Sequence, residues 1–420
     1  MNRTPLHHMV RIRRTDDLTF VRAGIMDEII VNANQLENSP DSTATALRQT
    51  TLPFTVDPVL YRFQLPQWWR NEKGKSKRNY ARLGAAYVKD TNIQITAGPL
   101  VETVPNDDEW CILAANVLGY QRSRLLQMPT QLDLLNEDHG RELHPVRLVA
   151  PALVAVSATE DRINRLLVEA SAGAAAAPIA VPMIVPLDRL QDARERDRVL
   201  ATVPTDGISS YFLWTPGVTE ELLLSDREIF DAVLCLIGTL ADRGIPVGHL
   251  HGNYVIAALH DLGVSAVVHH LGWIDKGEPV EQQRGGLRSC QTYVPGVRHC
   301  VRFEQANSLG RTLDADAYAE RYCECAFCAG SFSAGEHPLD LLLEDQYVPF
   351  EDGRGRRTPT GRAVALNTWH YLLSRRLEMQ AFSNLPAVDV IDRDMERAAA
   401  LAGSRDTSRL RRLATQLHSA

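Results

Sequence analysis

The chain has 420 residues, 45% apolar and 23% charged, with a formal net charge of −7. This is a globular composition with ample material for a core, and its acidic balance excludes a dedicated, strongly basic nucleic-acid binder while leaving room for a local basic face. No stretch of eighteen apolar residues occurs, which excludes a membrane-spanning helix. The opening Met-Asn-Arg-Thr-Pro-Leu-His-His has no apolar run, so no secretory signal is expected. Seven cysteines, three of them clustered, point to a reducing cytoplasm and a metal site rather than a disulfide framework.

In chain order, strand-like segments fall at 28–32, 52–56, 146–156, 179–185, 208–214, 247–250 and 266–270, with helix-like segments between them at 160–170, 187–200, 226–242 and 254–262. Strands alternating with helices imply right-handed βαβ units and a parallel sheet, and an alternation repeated about eight times suggests a (β/α)8 TIM-like barrel. An open doubly wound sheet is the runner-up, although no Gly-x-Gly-x-x-Gly follows a strand. The expected organisation is a barrel over 1–310, a zinc-binding subdomain over 311–385 and a helical tail over 386–420. Residues 64–82 interrupt the pattern as a basic insertion containing Trp68 and Trp69. A second basic stretch includes Arg284, Arg288, Arg298 and Arg302, and the tail is Arg-rich. Each stretch reads either as a solvated face or as a phosphate-tracking or partner-binding surface, with tryptophan available to stack on a base.

Past the barrel, Cys323, Cys325 and Cys328 form a Cys-x-Cys-x-x-Cys cluster, and a Leu-Asn-Thr-Trp-His string ends at His370. Thiolates this close repel one another unless a cation holds them, and zinc does so with four S or N ligands in a tetrahedron. Three sulfurs and one imidazole close such a site and leave no open position, so the expected metal is a structural Zn2+. His337 is the rival fourth ligand by proximity. His370 is preferred because it sits in an apolar helical segment, which holds a ligand better than the Gly-Glu-His-Pro turn around His337.

The cysteine cluster followed by Leu366-Asn367-Thr368-Trp369-His370 resembles the zinc site of the tRNA-guanine transglycosylases, also called queuine tRNA-ribosyltransferases. The interval of 41 residues between Cys328 and His370 is longer than that family uses, and the excess is assigned to 344–362. The motif resemblance covers roughly 310–385, and the barrel pattern extends it upstream. It implies a barrel whose strand ends carry the chemistry. Asp57, in Phe54-Thr55-Val56-Asp57-Pro58, looks like the Asp that opens the family's Asp-Ser-Gly-Gly motif, without the glycines. The strand at 208–214 looks like the family's Gly-Gly-Leu-Ala-Val-Gly strand with Ser209 and Ser210 for two glycines and Trp214 filling space. Gly248-His249-Leu250-His251-Gly252-Asn253 is similar to its Gly-Val-Gly-Thr turn. Laid from Gly263-Val264, the family's Gly-Val-Asp-x-Phe-Asp strand puts its nucleophilic Asp on Val268. A valine has no lone pair with which to attack a ribose carbon. The segments 148–152 and 181–186 also lack the family's base-reading Asp and Gln-Gly-Gly turn.

The resemblance therefore implies a degenerate barrel that lacks guanine exchange. It would bind a 7-deazaguanine-type base, free or borne by a nucleic acid or protein partner, of the kind found in bacterial DNA-modification and antiphage gene clusters. The alternative is an active, divergent transglycosylase that inserts a deazapurine into DNA or tRNA, using Asp57 with Asp275. The expected ligand-binding set is Asp57, Tyr211, Trp214, His249, His251, Gly252 and His269, with Trp273 and Tyr254 as further stacking candidates. Adjacent strand residues face opposite sides, so only one of His269 and His270 can enter the mouth, whereas His249 and His251 can share a face. A protein partner or a homo- or heterodimer through the zinc subdomain is also expected.

Overall fold

The structure is a computed structural model that describes residues 3–12, 17–21, 24–71, 73–95, 100–103, 106–126, 142–176, 179–270, 291–343, 347–349, 357–402 and 407–419. Eight parallel strands make one sheet: β1 (His7–Ile12), β2 (Glu28–Asn32), β3 (Phe54–Asp57), β4 (Leu148–Val149), β5 (Ile179–Ile184), β6 (Ile208–Trp214), β7 (Val247–His249) and β8 (Val264–His270). Their order, β3-β2-β1-β8-β7-β6-β5-β4, curls the sheet nearly into a closed barrel. At the seam between β3 and β4, the Val146 N–H donates to the Phe54 carbonyl at 2.9 Å. The expected (β/α)8 TIM-like architecture is therefore present.

A parallel strand covered on both faces needs apolar residues on both, and β2, with the sequence Glu-Ile-Ile-Val-Asn, is buried at all five positions. The expected 208–214 strand coincides with β6. The expected 146–156 strand shrinks to two residues, and Ala150 to Val156 follow β5 only through the Val154–Ile184 bridge and the N–H groups of Ala150 and Ala155, which donate to the Ala180 and Ile184 carbonyls at 2.9 and 2.8 Å. The 187–200 helix is split into Leu187–Gln191 and Ala193–Ala201 by Asp192, which caps the second piece through Arg194 N and Glu195 N. β1 was not among the expected strands. It lies between β2 and β8 and brings Arg11 into the barrel.

The outer helices follow ordinary amphipathic logic. Asp226 caps Arg227–Ala241 by accepting from Glu228 N and Ile229 N. Ile229, Phe230, Val233, Leu236, Ile237 and Leu240 then recur at helical spacing and are buried against the barrel. Full burial of one such side chain is worth roughly 1.5–3 kcal/mol.

The C-terminal part adds the antiparallel pair β9 (Gln291–Val294) and β10 (His299–Arg302), and helices α1 (Ala326–Ser333), α2 (Gly361–Asn384) and α3 (Ala387–Ala402). Helix α2 is buried on several sides because it passes between the barrel and the C-terminal elements. A buried ionic network fixes it there. Arg298 reaches Glu378 at 2.9 Å and Asp394 at 2.6 Å, and Arg375 reaches Glu378 at 2.7 Å. The hydroxyls of Tyr293 and Tyr254 donate to Glu378 and Asp394. Two guanidiniums face two carboxylates, so the buried charge is balanced, and removal of any one partner would leave an uncompensated ion. Arg298, read from sequence as part of a basic surface, is thus an internal strut. Arg284 and Arg288 lie outside the described residues. Among the described residues no helix is long and apolar enough to cross a membrane.

Candidate metal centre and barrel mouth

The residues that deliver the metal cluster are local in sequence and shaped by the backbone. A π-helical turn over Tyr318–Tyr322 ends with the Cys323 N–H donating to the Tyr318 carbonyl at 2.8 Å, which swings Cys323 into extended backbone. Cys325 stands in extended backbone immediately before α1, with its side chain left out of capping, and Cys328 lies in the first turn of the helix. The Cys325 N–H also donates to Cys323 Sγ at 3.4 Å. Across from them, α2 presents His370. Its Nδ1 lies 3.9 Å from Cys323 Sγ and 3.5 Å from both Cys325 Sγ and Cys328 Sγ. The four donor atoms lie within 4.8 Å of one another, and all four residues are buried. A tetrahedron with metal–S bonds of about 2.3 Å and a metal–N bond of about 2.1 Å has edges near 3.6 Å, so the spacing fits a metal ion such as zinc.

The second layer fixes the imidazole. His370 Nε2–H donates to the Tyr293 carbonyl at 2.9 Å, which leaves the Nδ1 lone pair facing the sulfurs. Burial would lower the proton affinity of His370, but the charges of Cys323 and Cys325 outweigh it and hold the group well above its ordinary value. A cation would fill that electrostatic demand. The Asn367 amide donates to the Leu342 and Ala363 carbonyls, tying Pro338–Leu342 to α2. His337 is not part of the cluster. It caps Pro338–Leu342 by accepting from Leu339 N at 3.2 Å. Among the described residues, the histidine grouped with the three cysteines is His370 and not His337.

The mouth of the barrel is built from the carboxyl ends of the strands. Paired residues of neighbouring strands share a face, and the registers Met9–Val268 and Arg11–His270 place these four side chains on the inner face. Arg11 Nη1 lies 2.7 Å from Asp57 Oδ2 and 3.4 and 3.5 Å from Asn32 Oδ1 and the Tyr61 hydroxyl. The Arg11–Asp57 contact is an ion pair without hydrogen-bond alignment at Oδ2, and Arg11 Nε and Nη2 are buried without a hydrogen-bond partner among the described residues. Asp57 Oδ1 accepts from Val59 N at 2.9 Å. Val59 itself has φ 50°, a left-handed conformation that is uncommon for a β-branched residue. Beside this pair, Tyr61, Trp214, His251 and His270 pack in sequence. Tyr61 meets Trp214 edge-on at 5.1 Å, Trp214 and His251 are 4.7 Å apart, and His251 and His270 are 4.5 Å apart, with His270 Nε2 2.8 Å from His251 Nδ1.

Of the expected ligand-binding set, the structure brings Asp57, Trp214 and His251 to the mouth. Tyr211 and Tyr254 belong to the helical layer: Tyr211 donates to the Pro204 carbonyl, and Tyr254 to Asp394. His249 pairs in register with Leu213 and Val267 on the outer face, and burial lowers its pKa to about 4. His269 is likewise on the outer face, 6.2 Å from Tyr371 of α2, with its pKa pushed well down by burial. The member of the His269–His270 pair that enters the mouth is His270. Gly252 donates its N–H to the Val268 carbonyl, and a Cβ there would meet Val267 Cγ1 at 1.9 Å, so its small size serves close packing against β8. Asp275 and Trp273 lie outside the described residues. Trp68 and Trp69 are buried, Trp68 edge-on to Tyr61 at 5.7 Å, rather than offered to a base.

Sequence reasoning missed Arg11, Asn32 and Tyr61, and it placed His269 rather than His270 in the ligand-binding set. The available signal was a charged residue alternating with Met9 in His-His-Met-Val-Arg-Ile, which a strand reading of 7–12 would have used.

No protein-family model matches this chain, and no curated protein matches it. Among solved structures, the chain is similar to xylanase B from Clostridium stercorarium F9, at 12% identity and a TM-score of 0.32, over 66% of this chain and 90% of that one. A likeness at that level carries no argument about function.

Proposed function

We propose that this chain is a transglycosylase-like zinc protein that binds a 7-deazaguanine-type base, free or on a macromolecular partner, at the barrel mouth without exchanging guanine. The observation that carries the proposal is the state of the two places where exchange would need a carboxylate. Val268 stands fully buried on the inner face where the resemblance puts the nucleophile. Asp57, the carboxylate at the mouth, is already committed to Arg11 and to Val59 N. Double displacement needs one carboxylate free to attack and a second acid or base, whereas binding a flat base needs stacking faces and a few donors. Tyr61, Trp214 and His251 supply aromatic faces, and Arg11 supplies unspent donors. The Cys323, Cys325, Cys328 and His370 set supports zinc in a structural role, because four protein ligands leave no position for an activated water. A place in antiphage defence rests on the family resemblance alone.

The alternative, an active divergent enzyme, draws on Val59. Its left-handed backbone keeps a glycine-like turn after Asp57, where the family has glycines. Two measurements separate the readings. Radiolabelled guanine exchange into unmodified tRNA and duplex DNA should stay at background, and incorporation abolished by Asp57→Ala would establish the enzyme. Calorimetry with 7-deazaguanine and its 7-substituted derivatives should show binding that Trp214→Ala weakens, and absence of binding would reject the proposal.

A further inference from the structure

At the opposite, amino-terminal rim of the barrel, a cavity of about 250 Å3 opens between the start of β1 and the C-terminal half of α2. Arg3, His8, Asp27, Arg376, Gln380 and Asn384 are among its lining residues. Their charges are unevenly spent. Arg3 is neutralised by Asp261 at 3.0 Å and donates to the Phe382 carbonyl at 3.4 Å. Arg376 gives one donor to the Gly24 carbonyl at 3.0 Å and meets no carboxylate at ion-pair distance among the described residues. Asp27 accepts from the His8 backbone N–H at 2.8 Å and lies 3.9 Å from His7 Nδ1, but it pairs with no Arg or Lys among the described residues. Arg376 and Asp27 thus line one cavity with opposite charges and do not pair with each other. Beneath them, the buried His8 ring packs edge-on to His269 at 5.0 Å, and none of the four ring nitrogens has a hydrogen-bond partner among the described residues. The Ile25 carbonyl comes near His8 without hydrogen-bond geometry. Burial holds the pKa of His8 down to about 4, so its ring adds no charge to the cavity at neutral pH.

We infer that this cavity is a binding site for a small zwitterion of the α-amino-acid class, with its carboxylate on Arg376 and its ammonium on Asp27. A guanidinium and a carboxylate that face the same space but not each other are complemented by a ligand carrying both charges a few ångströms apart. A simple anion would be drawn to Arg376 and repelled by Asp27, and a simple cation the reverse. The amides of Gln380 and Asn384 provide neutral donors and acceptors at the rim. The site lies away from the mouth, so its fate is independent of base binding there.

The test uses the full, metal-loaded chain. Saturation-transfer NMR against the standard amino acids, with acetate, methylamine and inorganic phosphate as single-charge probes, identifies any binder, and calorimetry measures it. At least one amino acid should bind, with acetate and methylamine weaker by about tenfold or more, the scale of one charged hydrogen bond. Asp27→Asn and Arg376→Gln should each weaken the amino acid by about tenfold while leaving metal content and circular dichroism unchanged. Neither side chain is in the core, the Asp27 side chain being 42% exposed, so both variants should fold. If phosphate or acetate binds as well as any amino acid and Asp27→Asn makes no difference, the cavity is an anion site and the inference fails. Silence across the whole panel also overturns it.

Discussion

The metal cluster and the barrel mouth are both buried, but they spend their polar groups differently. In the cluster, three sulfurs and His370 Nδ1 converge on one point, and the remaining imidazole nitrogen is taken by the Tyr293 carbonyl. At the mouth, Arg11 uses Nη1 and leaves Nε and Nη2 without partners among the described residues, and Val59 holds a strained backbone beside Asp57. A buried donor left unpaired costs about 1–3 kcal/mol, and a strained φ a similar amount. A site completed by its own protein ligands is suited to hold a fold together. A site that keeps unspent donors at such a cost is suited to receive something.

The largest expected effect breaks the first half of that contrast. Cys325→Ser removes one of four ligands, and apparent binding energies of structural zinc are about 10–16 kcal/mol in isolated zinc-finger peptides, energy that is also local folding energy. The variant should lose its metal by elemental analysis and most of its folded yield. The wild type should carry close to one zinc per chain, and a fully folded, metal-free wild type would erase the distinction between the two regions. Next in size is Asp57→Asn, which keeps an acceptor for Val59 N but strands the Arg11 charge in the barrel. Breaking a buried pair in this way typically costs about 3–5 kcal/mol. Urea denaturation should register that loss, and a second substitution, Arg11→Met, should return much of it. A cost near zero for Asp57→Asn would mean that the pair does not organise the mouth.

The same contrast governs what was legible in the sequence. The cluster was readable because its three sulfurs are local and the metal's geometry dictates their spacing, so only the fourth ligand had to be chosen. The strands β2 and β6 were readable because burial on both faces writes near-continuous apolar runs. β1 was hidden by the residues that matter in it: His7, His8 and Arg11 look like a polar terminus until the register places Arg11 against Asp57. The choice of His270 over His269 turns on one residue of register, which period-two alternation limits to one of the pair without saying which. Arg298 could not be recognised as internal, because Glu378 and Asp394 lie 80 and 96 residues further along the chain.

A smaller effect appears on acidification. Burial lowers the pKa values of His8 and His249 from 6.5 to about 4. Each therefore binds its proton less readily in the folded chain than in the unfolded one. Their contribution to stability is full above about pH 6.5 and is lost as pH falls towards 4, by up to roughly 3 kcal/mol for each histidine. Cluster thiolates also take up protons in acid, so the comparison must be made against His249→Asn, whose acid limb should be shallower than that of the wild type while metal release follows the same pH course. Identical acid limbs would mean that His249 contributes nothing to the acid transition.

The smallest substitution asks whether the turn after β7 belongs to the ligand or to the fold. Gly252 was expected to line the base, yet its missing Cβ faces Val267, whose Cγ1 would lie at 1.9 Å and whose Cβ at 3.2 Å. Val267 is β-branched, stiff at χ1 and buried in β8, so it cannot swing aside cheaply. The Gly252 N–H also holds the turn to the Val268 carbonyl at 2.9 Å, which resists a backbone shift outward. Gly252→Ala should therefore cost about 1–3 kcal/mol in urea denaturation, as overpacking does. In the fraction that remains folded, affinity for a deazaguanine at the mouth should stay within about twofold of wild type, since the lost space lies behind the turn rather than in front of it. The reverse result, unchanged stability with lost affinity, would return Gly252 to the ligand side of the turn and enlarge the mouth at the expense of the packing account.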